Sequence, residues 1–132
     1  MDTHELAWAA GFIDGEGSFF WNSHKRPAGH PGYGMPRFTV AQCDEQPILR
    51  LEGLFPFLRR RLQPRRQAHY RDQWILGCNG HEHVQQLLAS LWPYLSDFKR
   101  DAALVILARV REQSKALPEW HDRKRSAQYR GR

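Results

Sequence analysis

Cysteine is scarce in this 132-residue sequence, and no long hydrophobic run occurs in it. Cys43 and Cys78 are too few for a disulfide-rich fold, so we expect an intracellular protein of the cytoplasm or nucleoid, or of an organelle matrix if the gene is organellar. No apolar stretch reaches the ~20 residues that cross a bilayer. Asp2 and Glu5 stand where a secretory signal peptide would be basic. These features argue against a membrane protein and against a secreted scaffold.

Acidic residues are the minority among the charged ones. Lys and Arg together number 20 and Asp and Glu 14, which gives a net charge of +6. Residues 58–71 hold six arginines and no acid, and residues 123–132 form a second basic segment. Arginine suits bidentate contact with phosphate and guanine, and no basic helix with a wide apolar face accompanies the clusters. Nucleic acid is therefore the favoured partner, and a basic face kept only for solubility is the alternative.

Local patterns predict an α+β domain with the element order α-β-β-α-β-β-α-α and one antiparallel sheet. The first helix starts near Thr3 and is ended by Gly15 and Gly17. Residues 118–132 are polar and basic and are expected to form a tail after a single domain of residues 1–117. The remaining predicted elements are a hairpin over 18–42, a helix over 47–55, strands over 65–71 and 73–79, a helix from 81 to about 93, and a helix over 98–114.

One face of the predicted sheet is strongly polar. Strand residues alternate between the two faces, so one face packs on the helices and the other collects side chains that suit base edges in a major groove. Arg65 and Arg71 of the arginine-rich segment add contacts to phosphate. The DNA-binding residues predicted in this way are Asn22, His24, Arg26, Arg37, Thr39, Arg65, Gln67, His69, Arg71 and Gln73.

The segment "AAGFIDGEG", residues 9–17, joins an apolar helix to two carboxylates. The helix is apolar around nearly its whole circumference, which is typical of a helix buried on all sides. Asp14 and Glu16 stand at its C-terminal end, where acids oppose the helix dipole, so a purely decorative role is unfavourable. The nine residues resemble the signature of the LAGLIDADG homing endonucleases, and the element order fits that family over nearly the whole domain.

The resemblance implies a homodimer in which two motif helices pack along a two-fold axis. Gly11 and Gly15 fall on one helical face and would allow two backbones to approach closely. Ala7 and Asp14 are assigned to the same interface. Glu16, in place of the commoner Asp, would bind Mg²⁺, or Mn²⁺ as a substitute, at the scissile phosphates. Because the 132 residues contain one motif, a second copy of the chain is needed to complete the DNA-binding saddle.

Two further positions acquire roles from the resemblance. Gln42, at the end of the second strand, matches a family glutamine near the metal-bound water. The segment "LSDFKRDAAL" resembles one that carries a catalytic lysine, for which Lys99 is the candidate and Arg100 the open alternative. Cys78, His81 and His83 fit no standard zinc site.

The function implied is that of a divalent-metal-dependent DNA endonuclease that cuts both strands of a long, near-palindromic site. Double-stranded DNA and a second copy of the chain are the expected partners, with no membrane and no small-molecule cofactor. The alternative on the same scaffold is a non-catalytic DNA-binding regulator or an RNA-splicing cofactor (maturase). A small basic ribonucleoprotein component is a third possibility and predicts a monomer.

Overall fold

Helices cover one face of a four-stranded antiparallel sheet in the part of the chain that the computed structural model describes, residues 1–24 and 33–130. Side chains are described for residues 1–23 and 34–115. The strand order in the sheet is β1-β2-β4-β3. The element order matches the α+β prediction. The elements are α1 (Thr3–Glu16), β1 (Gly17–His24), β2 (Tyr33–Gln42), α2 (Glu45–Leu54), β3 (Arg59–Gln63), β4 (Gln73–Asn79), α3 (His81–Leu91), a 3₁₀ turn (Trp92–Tyr94) and α4 (Asp97–Arg130).

Helix α1 forms where the sequence predicts it. Asp2 caps its N-terminus, since the carboxylate accepts a hydrogen bond from the Glu5 amide at 2.8 Å. Ala9, Ala10 and Ile13 are fully buried and pack into the core, whereas the opposite side of the helix is exposed. The prediction of a helix buried on all sides therefore holds for one side within a single chain.

The first hairpin is confirmed. β1 pairs with β2 from Gly17 opposite Val40 to His24 opposite Tyr33. Side chains of a strand alternate between its two faces. Phe19 therefore lies on the helix-covered face and Ser18 on the other. β2 then pairs with β4 and occupies the centre of the sheet.

The second hairpin differs from the prediction. Its first strand is β3, Arg59–Gln63, and not residues 65–71, which lie in the connection between β3 and β4. Pro64 follows the last residue of β3, and proline cannot donate to a sheet ladder. Strand pairing with the apolar strand β4 imposes the extended conformation on a segment whose own sequence shows no alternation.

The core lies between the helices and the covered face of the sheet. Its fully buried larger side chains include Phe38 and Leu76 from the sheet and Ile48 and Leu87 from the helices. Helix α4 packs across the first hairpin, where the Gln113 side chain hydrogen-bonds the amide and the carbonyl of Gly34, each at 2.9 Å. None of the described helices combines the length and apolar character needed to cross a membrane.

Helix α4 continues past Pro118 to Arg130, beyond the predicted helix end at residue 114. No glycine occurs between Gly80 and Gly131, so no glycine C-cap ends the helix in this segment, and α4 continues through Pro118 although proline is unfavourable inside a helix. The division into a domain of residues 1–117 and a tail of 118–132 stays a prediction.

Candidate nucleic-acid interface and metal site

The face of the sheet that the helices leave uncovered is polar and basic, and we call it the open face. Cross-strand partners project to the same side, so the register assigns one set of alternating residues to this face. The set contains three arginines and no acid. Its members are Ser18, Phe20, Asn22, Met35, Arg37, Thr39, Ala41, Arg59, Arg61, Gln63, Gln73, Ile75, Gly77 and Asn79.

The three consecutive arginines of β3 are divided between the two faces. Arg59 and Arg61 lie on the open face, opposite Gly77 and Ile75. Arg60 lies on the covered face, where it forms ion pairs with Glu45 and Glu52 of α2 and lies 5.3 Å from the centre of the Trp74 ring. Arg61 is thus available to a polyanion, Arg59 also donates a hydrogen bond to the Pro56 carbonyl at 3.3 Å, and Arg60 ties α2 to the sheet.

Four of the predicted DNA-binding residues lie on the open face, namely Asn22, Arg37, Thr39 and Gln73. His24 occupies the last position of β1, with its side chain outside those described, and Arg26 lies outside the described residues. Arg65, Gln67, His69 and Arg71 are not strand residues. The error in the first strand of the second hairpin also concealed Arg59, Arg61 and Gln63. Pro56 and Pro64, which bracket this segment, were the available signal for a short strand.

The connection between β3 and β4 forms a basic pocket of about 410 Å³ at one end of the open face. The Asp72 carboxylate accepts a hydrogen bond from the Arg65 amide at 2.8 Å, which closes the loop. The rings of His69 and Tyr70 lie 4.3 Å apart. Arg65, Arg66 and Arg71 line the pocket, so Arg65 and Arg71, which are predicted to contact phosphate, lie in a loop at the end of the sheet and not on a strand.

The two residues at the junction of α1 and β1 differ completely in their surroundings. Glu16 is the last residue of α1 and is exposed, and none of the described side chains forms an ion pair or hydrogen bond with its carboxylate. Gly17 is buried, and a Cβ atom there would lie 2.9 Å from the Ile13 carbonyl oxygen and 3.0 Å from the Phe38 ring. The glycine allows the chain to turn directly from helix to strand, and this turn presents Glu16 at the surface.

Lys99 reaches this junction from α4. Its ammonium group donates a hydrogen bond to the Gly17 carbonyl oxygen, next to Glu16 in the chain. Arg100 points elsewhere, since its guanidinium donates to the carbonyls of Trp92 at 2.9 Å and Pro93 at 3.0 Å. Between the two alternatives left open by the sequence, the geometry favours Lys99.

Gln42 lies at the same end of the sheet. Val40 pairs with Gly17, so Gln42 lies two residues beyond the position opposite the start of β1, on the covered face of the sheet. The residue is half-buried and opposes Trp74 on β4. Three elements distant in sequence therefore bring Glu16, Gln42 and Lys99 to one end of the sheet.

Asp14 is engaged within the chain. Its two carboxylate oxygens accept from the Ser96 amide at 3.1 and 3.2 Å, immediately before α4. The residue predicted for a dimer interface thus joins the end of α1 to the start of α4.

The exposed side of α1 carries small residues. Ala7, Gly11 and Gly15 follow one another at intervals of four and are all exposed. A Cβ atom at Gly11 or Gly15 would meet no atom within 4 Å among the described residues outside its own stretch of helix. Glycine inside a helix costs about 1 kcal/mol relative to alanine, and nothing in the described chain requires it at these two positions.

The residues present fit a hard divalent cation. An exposed carboxylate such as that of Glu16 supplies the oxygen ligand that Mg²⁺ prefers, with phosphate oxygens and water completing its shell. Among the described residues, no group of three or more His, Cys, Asp or Glu side chains lies close enough together to hold a metal within one chain.

Comparison of the structure with solved proteins identifies its fold. The homing endonuclease I-CvuI in complex with a DNA target aligns with a TM-score of 0.61 and 21% identity, over 80% of this chain and 68% of that one. I-LtrWI, a LAGLIDADG homing endonuclease bound to target DNA, aligns with a TM-score of 0.65 and 19% identity, over 87% of this chain and 39% of that one. This chain has the LAGLIDADG homing endonuclease fold.

Another solved example of this fold is I-CeuI in complex with DNA, with a TM-score of 0.58 and 16% identity over 89% of this chain and 57% of that one. No protein-family model and no curated protein matches the chain. The LAGLIDADG resemblance stated from residues 9–17 is confirmed at the level of the fold. The motif occupies the end of α1 and the first residue of β1, where the exposed acid and the buried glycine meet.

Proposed function

We propose that this protein is a site-specific, divalent-metal-dependent DNA endonuclease that acts as a homodimer. The observation that carries the proposal is that Glu16, Lys99 and Gln42 lie at one end of a sheet whose open face is basic. A carboxylate and an ammonium group next to a phosphate-binding surface are suited to phosphodiester hydrolysis.

Each group has a role that follows from its chemistry. Glu16 would hold Mg²⁺ together with phosphate oxygens, and the bound cation supplies activation of water and stabilisation of negative charge on the phosphate. Lys99, already directed to the junction, adds a positive charge close to the reacting phosphate. Gln42 orients the attacking water through its amide. Structures of I-CvuI in complex with DNA were obtained in the presence of Mg, where the DNA was not cleaved, and in the presence of Ca.

The proposed dimer explains the exposed side of α1. Gly11 and Gly15 cost helix stability, and their open sides meet no other described part of the chain. A second backbone packed against them would explain why glycine stands there. Trp8 flanks the stripe, stacked on Phe12 at 5.4 Å and covered by the Arg50 guanidinium at 4.0 Å. An isologous contact through this face would bring two copies of Glu16 together and join two open faces into one surface with two-fold symmetry.

The open face would read the DNA. Asn22, Gln73 and Asn79 offer amides to base edges, and Arg37, Arg59 and Arg61 offer bidentate contacts to guanine or phosphate. The arginines of the 64–72 loop extend the positive surface to one side. A two-fold dimer predicts a target that is close to palindromic.

A cleavage assay tests the enzymatic proposal. The purified protein is incubated with DNA that contains the genomic sequence flanking its gene. Separate reactions contain Mg²⁺, Mn²⁺ or EDTA. Double-strand cleavage that needs the cation and is lost in Glu16→Gln supports the proposal. Glu112→Gln, at an exposed site on α4, is the matched control and keeps wild-type activity.

Specific binding without cleavage in either metal would reject the enzyme and favour a DNA-binding regulator. Binding to RNA transcribed from the same genomic region, in preference to the DNA, would favour a splicing cofactor. Both alternatives use the same scaffold, so the assay compares DNA and RNA of the same region.

Self-association is tested separately. Gly11→Leu should weaken the dimer about tenfold or more, because added methylenes in a close contact force the backbones apart. Gly53→Leu is the control, since Gly53 is also an exposed helical glycine whose Cβ would meet nothing within 4 Å. Sedimentation should give a mass near twice 15.5 kDa for the wild type and the control. A wild-type mass near 15.5 kDa at micromolar concentration would contradict the dimer.

A further inference from the structure

The start of α4 is capped in an unusual way. Ser96 immediately precedes the helix, and its hydroxyl accepts a hydrogen bond from the Lys99 amide at 3.3 Å, as an N-cap residue does. In a capping box, the acid three residues after the cap would accept the hydrogen bond of the cap amide. Here that position is Lys99, which has no acceptor in its side chain.

A residue from another helix takes the place of the missing acid. The Asp14 carboxylate accepts from the Ser96 amide with both oxygens, at 3.1 and 3.2 Å. The lysine is thereby free to occupy the third helical position and to extend away from the helix end. Its ammonium group donates to the Gly17 carbonyl oxygen, three residues after Asp14.

The two contacts form adjacent cross-links between α4 and the motif. One joins residues 14 and 96 and the other residues 17 and 99. Since Ser96 and Lys99 belong to one helical turn, the first contact fixes the rotation and height of the turn that carries the lysine. We infer that Asp14 is a positioning residue, whose carboxylate completes the cap of α4 and so holds the Lys99 ammonium group beside Glu16. This inference rests on the proposed function for its catalytic consequence only.

The position of Lys99 can be measured without any activity assay. The chain has four lysines, so reductive ¹³C-methylation gives a simple NMR spectrum in which the Lys99 signal is assigned by its loss in Lys99→Arg. In the wild type this signal should differ from those of freely exposed lysines. Asp14→Ala should move the Lys99 signal to the chemical shift of the exposed lysines. The same substitution should lower the hydrogen-exchange protection of the Ser96 amide about tenfold, as expected for the loss of one cap.

Asp14→Asn keeps one acceptor oxygen and should retain most of the wild-type signal, which also provides a folded variant if Asp14→Ala does not fold. Asp101→Asn, at an exposed site on the same helix, is the control and should change neither readout. An unchanged Lys99 signal and unchanged Ser96 protection in Asp14→Ala would overturn the inference.

The catalytic consequence is a change in rate at saturating DNA. Asp14→Ala should lower the single-turnover cleavage rate about tenfold or more while the DNA dissociation constant stays within about twofold, with partial rescue in Asp14→Asn. Equal losses of rate and of DNA affinity would indicate a general structural defect and overturn the positioning role. If the wild type does not cleave at all, the proposed function fails, whereas the NMR and exchange results still decide whether Asp14 positions Lys99.

Discussion

The two faces of the sheet use the same residue types for different purposes. Phe38 on the covered face is fully buried, whereas Phe20 on the open face is 37% exposed beneath Arg37. Arg60 on the covered face forms ion pairs with α2, whereas its neighbour Arg61 lies on the open face, where the described strand positions carry no acid. The position of a residue in the strand alternation, and not its type, therefore determines whether it stabilises the fold or serves the surface.

The largest expected effect comes from the two phenylalanines. Phe38→Ala removes a fully buried ring and should lower the free energy of unfolding by about 3–5 kcal/mol. Phe20→Ala removes a partly exposed cross-strand contact and should cost about 1 kcal/mol or less. Urea unfolding followed by circular dichroism measures both, and equal losses would contradict the division between the two faces.

The cysteines provide the next effect. Burial raises the pKa of the Cys78 thiol from 9.0 to about 11, whereas Cys43 is exposed. Only the thiolate reacts, so at pH 8 the reactive fraction of Cys78 should be about 100-fold smaller than that of an ordinary thiol. In the native protein, a disulfide reagent should label Cys43 rapidly and Cys78 slowly, and Cys43→Ser should leave only the slow thiol.

The same shift has a consequence for stability at alkaline pH. Between pH 9 and 11 the Cys78 thiol ionises in the unfolded chain before it does so in the folded one, and unfolding is therefore favoured as the pH rises. Cys78→Ala should reduce the loss in free energy of unfolding between pH 8 and pH 10.

The labelling experiment has its own contradicting outcome. Rapid labelling of both thiols at pH 8 in the folded wild type would contradict the buried position of Cys78.

The smallest expected effect separates the neighbouring arginines. Arg61→Ala should weaken DNA binding about fivefold and lower the dependence of log K on log salt by about one unit, as for the loss of one phosphate contact. Arg60→Ala should leave that dependence unchanged and lower the free energy of unfolding by about 1 kcal/mol or less, because its ion pairs are partly exposed. DNA titrations at three salt concentrations distinguish the two, and a similar salt dependence for both variants would refute the assignment of faces.

The sequence predicted α1 and the first hairpin well because each has a local signal. Asp2 marks the start of the helix, Gly17 marks its end, and residues 27–34 carry turn-forming residues between two alternating strands. The motif at the end of α1 also singled out Glu16 as a candidate metal ligand, which stays a prediction, and the structure places its carboxylate at the surface. These features depend on neighbours in the chain.

The remaining errors arose where the structure depends on distant contacts. β3 is a strand because β4 pairs with it, although its three arginines show no alternation of polar and apolar residues. The different directions of Lys99 and Arg100 also depend on distant contacts, since both residues are basic and adjacent and Lys99 reaches Gly17 of β1 only because α4 packs on the first hairpin. The role of Asp14 in the cap of Ser96 also lies outside local sequence patterns, because the two residues come from different helices.

The cross-links between the motif and α4 also affect the order of events during synthesis. Each joins residues separated by 82 positions in the chain. At translation rates of about 5–20 residues per second, the motif emerges roughly 4–16 s before the residues that complete its surroundings. During that interval the apolar helix and its terminal acid exist without the lysine that will lie beside them. A nascent or truncated chain that ends before α4 therefore lacks both cross-links, and the arrangement on which the proposed function rests is complete only after α4 has been made.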